Sequence, residues 1–133
     1  MASKEVFSFG PFKDFIADGV RMGDTIRLSG SVSVDDQGQT LHAGDIVKQT
    51  QQAYAHIARV LRKFGATMDN IAEETVYVTD MSAVLGDQEK MGAFFAARAE
   101  AYGGNPRAAQ SLIGVSELAA PDLMIEIKVV AHV

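Results

Sequence analysis

The chain has 133 residues, 47% apolar and 22% charged, with 12 Lys and Arg against 17 Asp and Glu for a net charge of −5. This is the composition of one globular domain, read over residues 1–133, and not of a disordered or fibrous segment. The acidic balance argues against nucleic acid as a partner bound through broad phosphate neutralisation. The lack of cysteine excludes disulfides, thiolate nucleophiles and thiolate-held zinc.

In chain order, residues 5–9 alternate and predict a short strand before Gly10-Pro11. Residues 25–34 alternate more clearly, placing Ile26, Leu28, Gly30, Val32 and Val34 on one face, and Asp35-Asp36-Gln37-Gly38 reads as a turn. Asp45 is a plausible N-cap for a helix whose apolar positions Val47, Thr50, Tyr54, Ile57, Leu61 and Phe64 recur at three- and four-residue steps. Gly65, directly after Arg62-Lys63-Phe64, suits a left-handed stop with cations against the helix dipole. Residues 73–79 are rich in β-branched and aromatic types and predict a strand, with Glu73-Glu74 as its solvated entry. A second helix over about 84–102 is expected to bury Met91, Phe94, Phe95 and Tyr102, stopping at Gly103-Gly104-Asn105-Pro106. Strands at about 108–116 and 123–132 close the chain.

The order ββ–α–β–α–ββ predicts an α+β fold, with a mixed β-sheet of five or six strands carrying both helices on one face. The other face is left half apolar, with Met124 and Val130 in the last strand, which suits self-association. No basic and apolar leader opens the chain and no apolar run approaches a membrane span, so the expected setting is cytoplasmic and without a membrane partner.

Standard catalytic motifs are missing: there is no G-x-G-x-x-G, Walker loop, H-E-x-x-H or G-x-S-x-G. His42, His56 and His132 are scattered, so no metal site and no cofactor is expected; His56 reads as a helix-surface or partly buried residue. The Arg59–Lys63 basic run is ascribed to the helix dipole, and the six methionines to core filling. Two positions stand out. Glu126 shares a strand face with Lys128, as an exposed ion pair or as a carboxylate that orients water at a subunit junction. Arg107 follows Pro106 into an extended segment, as a surface residue or as a fork for a small anionic ligand.

Leu28-Ser-Gly30, the helix ending Phe64-Gly65-Ala66, Thr75-Val-Tyr-Val-Thr-Asp80-Met81, Phe94-Phe95 and Ile125-Glu126-Ile127 together resemble the Rid (YjgF) family from about Gly10 to Val133. The resemblance implies a chorismate-mutase-like fold and a homotrimer with ligand clefts between subunits. It also implies hydrolysis of reactive enamines and imines to keto acids and ammonia. In such proteins an arginine at the start of the penultimate strand pairs with the substrate carboxylate, and a glutamate in the last strand places the attacking water. Glu126 matches that glutamate.

Four other cleft positions depart from the family pattern. Ser111 stands where the arginine is expected, with Arg107 four residues upstream, roughly 13 Å along an extended strand. The family tyrosine after Gly-Pro is Phe12, the glutamine after Ser-Gly is Ser31, and the asparagine before the paired phenylalanines is Gln88. The changes point to a changed ligand on a retained scaffold. The expected activity is a deaminase-like hydrolase acting on a small-molecule ligand, with Glu126 catalytic and Arg107, Ser111, Phe12, Ser31 and Gln88 lining the cleft. A non-catalytic trimer that binds a metabolite or a protein is the alternative, with endoribonuclease activity behind both.

Overall fold

The computed structural model describes residues 3–133. Its strands are β1 (Lys4–Phe7), β2 (Gly19–Met22), β3 (Thr25–Leu28), β4 (Ser31–Val32), β5 (Ile71–Val78), β6 (Ala109–Gly114) and β7 (Ile125–His132). The helices are α1 (Ile46–Lys63), α2 (Ser82–Leu85) and α3 (Gln88–Ala101). All seven strands join one mixed sheet in the order β1-β2-β3-β7-β5-β6, with β4 also on β7. Only β5 and β6 run parallel; they are joined by the crossover through α2 and α3, the connection that a parallel pair requires.

Helix α1 starts and stops for the expected reasons. The Asp45 side chain accepts from the Lys48 amide, Arg62 and Lys63 occupy the last turn, and Gly65 takes φ +75°. Its stripe from Ala53 and Tyr54 through Ile57, Val60 and Leu61 is buried against Ile26, Leu28, Val76, Val78, Ile125, Ile127, Val129 and Ala131 of the sheet. Phe94 and Tyr102 join the same core, so α1 and α3 cover one face.

Four expectations are corrected. Strand β2 went unforeseen because it is four residues long and begins with glycine, below the length at which alternation can be read. The single strand predicted over 25–34 is two. Arg27 pairs with Val130 and Ser31 with Ile127, so four steps on one strand meet three on the other. That one-residue bulge at Ser29-Gly30 reverses the faces beyond it: Ser31 and Ser33 are buried beside Ile26 and Leu28, while Val32 and Val34 turn away.

The second helix is likewise two, because Gly86 ends α2 and Asp87 caps α3 through the Lys90 amide. Phe94, Ala97 and Arg98 form its buried line; Met91, a turn earlier in α3, and Phe95, rotated off that line, stay exposed.

The fourth correction is Glu74, read as solvated but buried. Its carboxylate accepts from Tyr54 Oη (2.9 Å), Tyr102 Oη (2.6 Å), Gln110 Nε2 (2.8 Å) and Arg98 Nε (3.1 Å). Arg98 Nη2 also donates to the Ala108 carbonyl, tying α1, α3, β5 and β6 at one point. Burial, reinforced by the Glu74 charge, pushes both tyrosine hydroxyls far above their ordinary range, so they remain donors.

Candidate functional site

The bulge that turns β3 into β4 also makes the cleft. At Gly30 the backbone lies against the Glu126 carboxylate, where an added Cβ would collide with it. Glu126 is the second residue of β7, paired with Val32 on one side and Tyr77 on the other. Alternation turns Ile125 and Ile127 to the helices and Glu126 and Lys128 to the opposite face. Buried Gln49 of α1 fixes the approach to this strand by donating to the Asp122 carbonyl and accepting from the Met124 amide, each at 2.9 Å. Gln49 is a positioning residue the sequence did not reveal; its two partners on the approach to β7 lie more than 70 positions away.

Around Glu126 is a cleft of about 480 Å³. The chain from Pro11 to Ile16 gives one apolar wall with Phe12, and Gly30, Val32 and Val34 line it from the bulged strand. Its charged and titratable members are Asp18, His56, Glu126 and Lys128. Burial pushes the Glu126 carboxyl above its ordinary range, and Lys128 pulls in the other direction. Asp18 is held by the amides of Phe9 (2.7 Å) and Gly10 (2.8 Å), and His56 Nε2 lies 3.3 Å from its Oδ1. Sequence reasoning missed this pair, since Asp18 precedes an unrecognised strand and His56 stands on the flank of a helix.

Phe12 and Glu126 therefore meet in one cleft. Ser31 does not join them: the bulge turns it to the helices, where its hydroxyl donates to the Ala53 carbonyl at 2.9 Å. Ser31→Ala is expected to cost about 1 kcal/mol in urea unfolding and to leave ligand affinity unchanged. Gly30→Ala should act the other way, displacing the Glu126 carboxylate, so turnover falls more steeply than melting temperature.

Ser111 is exposed on the same sheet face as Glu126, but two strands away, opposite Thr75. Gln88 is the exposed first residue of α3. Arg107 lies before β6, whose first residue, Ala109, is already roughly 13 Å along the strand from Ile113, which shares a row with Tyr77 and Glu126. It lines a different recess, with Asp69, Tyr102 and Asn105. Within one protomer Arg107 does not supply the missing cleft arginine. Among the described residues no group of three or more acidic or histidine side chains is placed to hold a metal ion, and no helix is long and apolar enough to cross a membrane.

A mixed sheet with its long helices on one face and a carboxylate cleft at a strand bulge defines an α+β protein of the YjgF/Rid type. The chain belongs to the family described as Endoribonuclease L-PSP, whose model matches residues 8–133. It is 26% identical to a RutC family protein of Pyrococcus abyssi, over 99% of this chain and 98% of that one. It is 25% identical to a 2-iminobutanoate/2-iminopropanoate deaminase of Dermatophagoides farinae, over 82% and 76%. Among solved structures, a Rid family protein of unknown function from Yersinia pestis superposes with a TM-score of 0.83 at 25% identity, covering 98% of this chain and all of that one. A YjgF/YER057c/UK114 family member from Mycobacterium tuberculosis does so with 0.79 at 28% identity and the same coverage.

Proposed function

We propose that this protein hydrolyses a small imine or enamine metabolite to the carbonyl compound and ammonia, in the cleft around Glu126. The observation that carries the reading is Glu126 itself, a half-buried carboxylate seated against Gly30 on the floor of a cleft. The similarity to a protein named as an iminobutanoate deaminase supports it. An iminium carbon is already electrophilic, so the protein need only orient the substrate and take a proton from water. As the water oxygen bonds to that carbon, its proton passes to Glu126 and the C=N electron pair moves onto nitrogen. Phe12 packs against the substrate, and Lys128 is the cation within reach for an anionic group.

The cleft is completed by self-association, as a homotrimer. The face that carries Glu126 leaves Ile113 exposed and Tyr77, Val32 and Val130 only partly covered. Ser111, Gln88 and Arg107 would line the cleft of a neighbouring subunit, across the interface. The setting is cytoplasmic, no cofactor is required, and the whole chain acts as one domain.

A second reading, a metabolite-binding trimer without turnover, is favoured by one observation: no arginine lines the cleft in the protomer. Generating the imine in place with a serine or threonine dehydratase, with semicarbazide competing for it, decides between them. Faster keto-acid release in the presence of the protein supports hydrolysis. Thermal stabilisation by keto acids without faster release supports binding alone.

A further inference from the structure

We propose that His56, oriented by Asp18, is a second proton-transfer residue of the Glu126 cleft and removes the hydroxyl proton when the tetrahedral adduct collapses. This rests on reading the cleft as an imine-hydrolysing site.

Three observations carry it. Asp18, His56 and Glu126 line the same cleft. The Asp18 carboxylate is fixed by the Phe9 and Gly10 amides through Oδ2 and meets His56 Nε2 through Oδ1. A carboxylate on one ring nitrogen selects the tautomer and leaves the other nitrogen free to accept a proton. Thirdly, Asp18 extends β2 beside Ser29, whose amide donates to the Asp18 carbonyl, while Glu126 lies on β7 beyond the same bulge. The two carboxylate-bearing strands are thus two strand spacings apart, about 10 Å, and the residue of the intervening strand that lines the cleft between them is Gly30, which has no side chain.

Hydrolysis needs two proton movements, and one carboxylate accounts for the first. Attack of water gives a neutral carbinolamine and protonated Glu126. In collapse the hydroxyl proton passes to neutral His56 and the C=O bond forms. The C–N bond breaks with its electron pair going to nitrogen, which takes the proton from Glu126. Ammonia then removes the proton from His56 as ammonium, and both groups return to their starting states. Burial holds His56 below its ordinary pKa, with Arg59 acting in the same direction and Asp18 and Asp36 opposing. The imidazole is therefore available as a base at neutral pH.

The test is the acid limb of kcat/KM in the dehydratase-coupled assay, for wild type, His56→Gln and Asp18→Asn. Since Glu126 must be ionised and His56 neutral, the wild-type limb should approach a slope of two. His56→Gln should lose about 100-fold or more in rate and fall to a slope of one. Asp18→Asn removes the charge that raises the His56 pKa, so the limb should move to lower pH. A merely structural pair would change the melting temperature and leave slope and limb position alone. Wild-type rate and slope in His56→Gln, or an unmoved limb in Asp18→Asn, would overturn the inference and leave imine hydrolysis standing. A wild type inert toward imines would overturn the hydrolytic reading and the proton-transfer role with it.

Discussion

Glu74→Ala is expected to destabilise the protein by about 3–5 kcal/mol, the cost of removing one partner of a buried ion pair. Glu74 accepts from four side chains, and its side chain is fully buried beside an Arg98 side chain only 11% exposed. Truncation leaves the guanidinium with the Ala108 carbonyl alone and orphans two tyrosine hydroxyls. Tyr54→Phe removes a single hydrogen bond to the charge and should cost about 1.5–3 kcal/mol. Urea unfolding at one fixed protein concentration measures both, since association would otherwise shift the midpoint. A Glu74→Ala cost near that of an ordinary surface substitution would show that the network contributes little to stability.

Glu126→Gln is expected to lower turnover of imine by 100- to 10,000-fold, roughly the range of general acid–base catalysis, while raising stability at neutral pH. The second effect follows from the direction of the pKa shift. Burial raises the folded-state pKa of Glu126, so the protonated form favours folding and ionisation opposes it. That favourable contribution is present below the unfolded pKa and is lost as pH rises through the folded pKa. The variant should therefore melt above wild type at neutral pH and coincide with it in acid, where both side chains are neutral. Melting curves across that range check the sign. A site that keeps a carboxylate at some expense to stability is one where the charge has a use.

The parts of the fold that were legible in sequence are those with long periodic signals. Helix α1 repeats its apolar step over 18 residues between an aspartate cap and a glycine stop, and β7 alternates over eight. Both appear where the pattern puts them. Short-range patterning failed wherever a single residue changed the phase. The bulge at Ser29-Gly30 turned Ser31 from an expected cleft residue into a core hydrogen bond. Gly86-Asp87 split one predicted helix into two.

Glu74 looked like half of an exposed acidic pair because its donors lie 20, 24, 28 and 36 positions away. The cleft was legible only at Glu126 and Phe12. Asp18, His56 and Gln49 meet their partners through tertiary contacts that no local spacing announces.

The most direct test of the hydrolytic cleft compares keto-acid release by wild type and Glu126→Gln, side by side, with the dehydratase-generated imine divided between protein and semicarbazide. Wild type is expected to divert imine to keto acid and ammonia, while the equally folded variant leaves it to the trap. Equal release by the two proteins, or none above the spontaneous rate from wild type, would contradict it.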